Sequence, residues 1–244
     1  MLIVGLTGGI ASGKSTVVNY LKDEYKLTIV DADLIAREVV QPGKRAYHQI
    51  VAAFQEVVPN LLNEEDKTLN RAALGSAVFG NKERLSILNS IVHPAVKIEI
   101  AWQIFRAYIG LKSLVILDVP LLFETKLDKI CGLTITITCP RDIQLERLIS
   151  RNKELSKEDA EKRIASQLSN EERNFRADLV IDNSGDLKQL HSSVASVVDE
   201  IKPKFIFTVL EYFPPFAIIS AVYTFVIRSL RDRFKAQRKP TKSD

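Results

Sequence analysis

The order of apolar runs and helical stretches in this sequence predicts an α/β fold, a parallel sheet with helices on both faces. Two observations carry that prediction. β-branched or leucine-rich runs recur at residues 2–6, 27–30, 114–117, 133–138 and 178–181, each followed by text of helical periodicity. Strands that are apolar on both faces lie between helix layers, as in parallel sheets. The first run is closed by glycines, and from Lys14 onward Val17, Val18 and Leu21 fall at helical spacing, so a strand–loop–helix unit opens the chain.

The second and third runs are more than 80 residues apart, too far for one crossover. Helical stretches are expected at 46–57, 71–78, 82–91 and 95–109, with Pro59 and Pro94 as breaks, and together they read as an inserted helical subdomain at about 41–110. Ser156-Lys-Glu-Asp159 and Ser169-Asn-Glu-Glu172 have the form of helix N-caps with an acid three residues on. They frame a short charged segment, within about 141–176, expected to act as a lid. With 244 residues, 46% hydrophobic and 26% charged, one main domain over 1–202 plus an excursion and a tail is expected.

Charge argues against a nucleic-acid partner. The whole chain carries a formal +4, but residues 228–244 alone carry +5, leaving −1 on the other 227. A body without excess positive charge lacks the electrostatic footprint that polyanion binding needs. Cys131 and Cys139 have neither CxxC spacing nor a histidine nearby, which reads as two small core residues of a reduced, intracellular protein. No basic segment followed by a long apolar run opens the chain, so a signal peptide is not expected.

Gly8-Gly9-Ile10-Ala11-Ser12-Gly13-Lys14-Ser15 matches G-x-x-x-x-G-K-[ST]. The glycines let consecutive N–H groups face phosphate oxygens, Lys14 reaches the β and γ phosphates, and the Ser15 hydroxyl suits Mg²⁺. With Thr16, these residues form the expected ATP phosphate site. A regulatory GTPase would carry DxxG and NKxD in set places, and neither is in place. A compact ATP-dependent kinase is favoured, with Mg²⁺.

The acceptor side offers several candidates. Asp31-Ala-Asp33 follows the second strand, where open α/β sheets place ligands. One or both carboxylates can orient an acceptor hydroxyl or take its proton, and Asp33 is also a candidate N-cap for a helix beginning at Leu34. Val115-Ile-Leu-Asp118 ends an apolar strand in a carboxylate suited to the Mg²⁺ shell. Arg141, Arg147 and Arg151 lie before the capped segment, the last two on one helix face, where guanidinium groups of a closing lid would stabilise charge on the transferred phosphoryl group and exclude water.

LTGGIASGKST at 6–16, DADLIAR at 31–37, LNRAALGSAVF at 69–79, His93-Pro94, DVPLLFE at 118–124 and QLERLISRN at 144–152 together resemble dephospho-CoA kinases, over roughly residues 1–200. The resemblance implies a three-layer, nucleoside-kinase-like P-loop fold with a five-stranded parallel sheet, a CoA-binding helical insertion and a lid. It implies phosphorylation of the ribose 3′-hydroxyl of dephospho-CoA by ATP, giving coenzyme A and ADP. Lys14 would then bind phosphate, Asp33 would meet the acceptor hydroxyl, and Arg147 would meet the transferring phosphate, with Arg151 beside the nucleotide. Arg71, His93, Leu121 and Glu124 become acceptor-pocket candidates. Asp118 departs in part from the family, some members having an apolar residue there. A nucleotide monophosphate kinase and a membrane-tethered P-loop scaffold with weak catalysis are the alternatives.

Beyond Lys202, residues 205–227 hold a single charge, Glu211, and a basic stretch follows. Pro214-Pro215 would leave a clean helix of about twelve residues from Phe216, short of a full span. A broken span, an interfacial anchor and a helix packed on the body all fit, and the basic flank favours a membrane surface through 205–240. The expected place is the cytosolic side of a mitochondrial or endoplasmic reticulum membrane, as a monomer or weak oligomer, with other CoA-pathway enzymes as possible neighbours.

Overall fold

The structure is a computed structural model that describes residues 1–152, 154–203, 210 and 212–237. It divides into two compact units, Met1–Val30 with the described residues from Ala107 on, and Asp31–Arg106.

The first unit is built on a five-stranded sheet. Its strands are β1 (Leu2–Gly8), β2 (Thr28–Asp31), β3 (Leu114–Asp118), β4 (Leu133–Thr138) and β5 (Leu179–Asp182), in the spatial order β2-β3-β1-β4-β5. β1 pairs in parallel with β3 and β4, and β4 with β5. The sheet therefore grows in both directions from β1, and the carboxyl end of β1 is the point where strand order reverses, the place open α/β sheets reserve for ligands.

Helix α1 (Lys14–Asp23) follows β1, and α9 (Leu187–Ile201) follows β5. In α9, Leu190, Val194, Val198 and Ile201 repeat at helical spacing and pack with Val17 and Leu21 of α1 on Val4, Leu6, Ile116, Ile135, Ile137 and Ile181 of the sheet. Each such side chain, fully buried, contributes about 1.5–3 kcal/mol. The opposite face of β4 is polar: Thr134 and Thr136, which alternate with the two isoleucines, are fully buried. Between β4 and β5 run α6 (Arg141–Arg151), α7 (Lys157–Ala165) and α8 (Asn170–Arg176). Ser156 and Ser169 cap α7 and α8 by accepting from Asp159 N and Glu172 N, each at 3.1 Å.

The second unit holds α2 (Ala32–Glu38), α3 (Arg45–Phe54), α4 (Arg71–Val78) and most of α5 (Lys82–Ile109). Tyr47, Ile50 and Phe54 of α3 meet Leu74 and Val78 of α4, and Leu88, Ile91 and Val92 of α5 close on them. The sequence placed a helix break at Pro94, yet α5 is one helix of 28 residues with Pro94 inside it. Proline deletes one intrahelical bond and crowds the preceding turn. The apolar anchors Ile91 and Val92 before it and the buried Ile100 after it hold the helix across that lesion.

The tail also departs from expectation. Helix α10 (Pro214–Gln237) is 24 residues long and begins at the two prolines, because proline fits the first turn of a helix, where its missing N–H has no partner to lose. Among the described residues no helix is long and apolar enough to cross a membrane. Instead α10 is latched to the β4–β5 end of its own unit through Arg228, which is 8% exposed. Its guanidinium donates to the carbonyl oxygens of Cys131 at 3.1 Å and Gly132 at 2.9 Å and pairs with Asp178, which Arg231 also reaches. Asp178 accepts as well from Thr134 N and Oγ1, both at 2.8 Å. Burial pushes the Asp178 carboxyl up, but the bonds and charge of Arg228, with those of Thr134, outweigh it and hold the group below its ordinary value.

Arg228→Ala removes the latch's bonds to Asp178 and to two backbone carbonyls, while Arg231 and Thr134 still serve Asp178, so it is expected to lower unfolding stability by about 2 kcal/mol at neutral pH, read by urea denaturation. Because the folded carboxyl is depressed, its contribution is present above the ordinary aspartate pKa and lost as pH falls through the folded value. The deficit of the variant should accordingly shrink on acidification, and a pH-independent deficit would exclude the Asp178 pairing as its source.

Candidate functional site

The loop between β1 and α1 wraps a site at the carboxyl edge of the sheet. Gly13 sits at φ +93° with its α-hydrogen against Asn183, where a Cβ would lie 2.0 Å from Asn183 Nδ2. That position needs glycine both for conformation and for space. Gly9 is equally confined: a Cβ there would stand 2.6 Å from Gln144 Nε2 and 3.1 Å from Arg173 Nη1.

The loop's hydrogen bonds are divided by direction. Ser12 N donates to Gly9 O at 3.0 Å, and Thr16 N and Val17 N donate to Gly13 O. The carbonyls of Ile10 and Ser12 accept from Gln144 Nε2 and Asn183 Nδ2, each at 2.8 Å. The N–H groups of Ala11, Gly13, Lys14 and Ser15 have no hydrogen-bond partner among the described residues. Unspent donors at the positive end of a helix form an anion cradle, and this arrangement fits the phosphates of a nucleotide.

Lys14 Nζ lies 2.6 Å from Asp118 Oδ1. Asp118, at the end of β3, is 5% exposed, so the lysine is held at the sheet edge beside the cradle. Ser15 is exposed in the first turn of α1, and its hydroxyl with the Asp118 carboxylate supplies oxygen donors of the type Mg²⁺ takes. The loop after β3 is tied to β1 by Thr7 Oγ1, which donates to Pro120 O at 2.7 Å. Leu121 and Glu124 are exposed on that loop, and Glu124 acts electrostatically on Arg173.

Arg147, on α6, has its Nη1 buried and without a hydrogen-bond partner among the described residues. Its charge and a side-chain hydrogen bond oppose the effect of burial on the Cys139 thiol, which burial still holds above its ordinary value. The Cys131 thiol is pushed up to about 12 by burial, and both cysteines are buried core residues. Arg151, one turn on, is exposed.

Asp33, Arg71 and His93 belong to the second unit, and all three are exposed. The structure corrects the capping role suggested for Asp33. Helix α2 starts at Ala32 rather than Leu34, and its cap is Asp31, whose Oδ1 accepts from Asp33 N at 2.9 Å and Leu34 N at 3.0 Å. The extended backbone at the end of β2 gives Asp31 the dihedrals an N-cap requires. Asp33 is thereby left with no hydrogen bond or ion pair for its carboxylate among the described residues. Arg71 Nη2 touches Arg37 O at 3.5 Å and borders a cavity of about 330 Å³ shared with Gln41, Asn63, Thr68 and Asn70.

Sequence reasoning missed the side chains behind the loop: Gln144, Gln167, Asn170, Arg173 and Asn183. Only the Ser169 cap pointed toward Asn170 and Arg173, since it started the helix that carries them.

The sequence profile of the dephospho-CoA kinase family matches residues 2–189. The dephospho-CoA kinase of Saccharomyces cerevisiae is 51% identical over 238 residues, 98% of this chain and 98% of that protein. That of Bacillus licheniformis is 43% identical over 81% of this chain and 96% of its own length. The solved structure of the Campylobacter jejuni dephospho-CoA kinase superposes with a TM-score of 0.58 at 28% identity, covering 82% of this chain and 97% of that one. A phosphate cradle backed by Lys14 and Asp118, in a chain matched by the family profile over most of its length, leads to one assignment: the chain belongs to the dephospho-CoA kinase family.

Proposed function

We propose that this chain transfers the γ-phosphoryl group of ATP to the ribose 3′-hydroxyl of dephospho-CoA, giving coenzyme A and ADP. The observation that carries the reading is the cradle of unspent N–H groups at Ala11, Gly13, Lys14 and Ser15 in a chain of this family. The cradle and Lys14 hold the donor's phosphates. Ser15 and Asp118 would hold Mg²⁺, whose charge would offset that on the transferring group. Arg147 brings its guanidinium, whose Nη1 has no partner among the described residues, to the same charge, with Arg151 beside the nucleotide. The acceptor oxygen forms its bond to the γ-phosphorus as the bond to the β–γ bridging oxygen breaks, and the hydroxyl proton passes to the Asp33 carboxylate. His93, Leu121 and Glu124 contribute to the acceptor's binding, and Arg71, with the cavity it borders, suits the diphosphate of dephospho-CoA.

The tail supports a second, separable part of the proposal. The yeast relative covers 98% of this chain and the bacillar one 81%. Along α10, Ile218, Ile219, Val222, Tyr223 and Val226 are exposed, with basic residues following in sequence. A helix latched by Arg228, with apolar side chains outward, suits an interfacial anchor on an anionic membrane, on the cytosolic face of mitochondria or endoplasmic reticulum.

An ADP-release assay with dephospho-CoA, AMP and water as acceptors tests the reaction. Dephospho-CoA should be strongly preferred; turnover no greater than with water would overturn the reading, and a preference for AMP would favour a monophosphate kinase. Asp33→Asn should lower kcat by about a hundredfold or more with ATP binding kept. Asp31→Asn, still a competent cap, should stay near the wild type, and equal losses would mean that Asp31 acts in the chemistry. For the tail, flotation with phosphatidylserine vesicles should retain the wild type and lose Ile219→Asp with turnover unchanged. Equal flotation of the two would remove α10 as the anchor.

A further inference from the structure

Arg173 is a buried guanidinium, 2% exposed, on α8, and among the described residues no carboxylate pairs with it. Glu124 and Glu171 act on it only as nearby charges. A charge in that position is costly unless its field is used or compensated. Arg173 Nη2 donates to Leu168 O at 2.7 Å, and Nη1 donates to Asn170 Oδ1 at 3.0 Å.

From there the direction of every bond follows from chemistry. Arginine has no acceptor, so the oxygen of Asn170 must face it, and the Asn170 amide nitrogen must face the other way. That nitrogen donates to Cys139 O at 2.9 Å and to Gln144 Oε1 at 2.8 Å. Gln144, itself buried, must then present its nitrogen to Ile10 O, which it meets at 2.8 Å. All the donors in this string point from the cation toward the Ile10 carbonyl, and aligned hydrogen bonds polarise one another in a low-dielectric interior.

The Ile10 carbonyl shares its peptide unit with the Ala11 N–H, one of the cradle's unspent donors. Withdrawing electrons at the oxygen strengthens that N–H and fixes the plane of the peptide. On the other side Gln167 Oε1 accepts from Ile10 N at 2.9 Å, so both peptides flanking Ile10 are pinned, and the next residue, Ala11, is held at φ 59°. Resting on the nucleotide reading above, we propose that Arg173, Asn170 and Gln144 form a one-way relay that orients and polarises the Ile10–Ala11 peptide for phosphate binding. They are positioning residues, with no contact to the transferred group, and Asn183 does the same for the Ser12–Gly13 peptide without a cation behind it.

The test uses the full chain with inorganic tripolyphosphate and ATP. Gln144→Met keeps the side chain's length but offers Ile10 no donor. The tripolyphosphate Kd and the ATP KM should each rise about tenfold, the scale of one hydrogen bond to a charged group, with the dephospho-CoA KM unchanged. Arg173→Met should weaken both by about threefold through lost polarisation, and Arg173→Lys, which restores the cation, should recover most of that. Because the relay acts in series, Gln144→Met with Arg173→Met should be no weaker than Gln144→Met alone. Additive losses, equal rises in both substrates' KM, or tripolyphosphate affinity unchanged in Gln144→Met would overturn the relay. If Gln144→Met does not fold, the Arg173→Met and Arg173→Lys pair decides, absence of recovery overturning it. A wild type that binds neither tripolyphosphate nor ATP would overturn the nucleotide reading itself.

Discussion

The backbone from Gly8 to Ser15 must aim its N–H groups at an anion while its carbonyl oxygens, attached to the same peptide units, stay satisfied elsewhere. A carbonyl drawn away from water must find a donor, because an unsatisfied buried oxygen is expensive. The structure answers with side-chain amides: Gln144 for Ile10 and Asn183 for Ser12. These come from helix α6 and from the end of β5, so the conformation of a loop at residue 10 depends on chain more than 130 residues away. The order of strands, β4 and β5 beyond β1, is what brings them there.

Two buried arginines mark opposite solutions to the same problem. Arg228 is neutralised by Asp178 and spends its other donors on two backbone carbonyls, so it serves as a latch for α10. Arg173 meets neutral acceptors and keeps its charge beside the loop. A guanidinium is suited to both tasks because it stays charged when desolvated and offers several donors in fixed directions. The use of Arg228 also changes the meaning of the tail, which shares the ion-pair network of the β4–β5 floor as well as presenting apolar side chains outward.

Local rules were obeyed wherever nothing distant opposed them. Ser156 and Ser169 cap their helices as their spacing indicates, and α4 and β4 run over the residues their patterns suggest. At Pro94 the local rule lost, because apolar anchors on both sides outweigh one missing hydrogen bond. At Asp31 and Asp33 two carboxylates of similar promise were separated by one dihedral condition: the residue ending an extended strand becomes the cap, and the next acid is left unspent. At Pro214 the prolines mark a helix start, because in a first turn their missing N–H groups have no partner to lose.

The sequence by itself determined the α/β class, the phosphate loop, the strand-end carboxylate Asp118 and the family likeness. Each rests on short local patterns, single runs and motifs of about a dozen residues or fewer repeated along the chain, where spacing alone sets which groups share a face. Tertiary structure decided which partners those groups meet: Lys14 with Asp118, Ile10 with Gln144 and Gln167, Asp178 with Arg228. Such pairs join residues 50 to more than 150 positions apart, and no local periodicity records them. They exist because the sheet brings its strand ends together and because a buried polar group must find its complement wherever the chain has carried it.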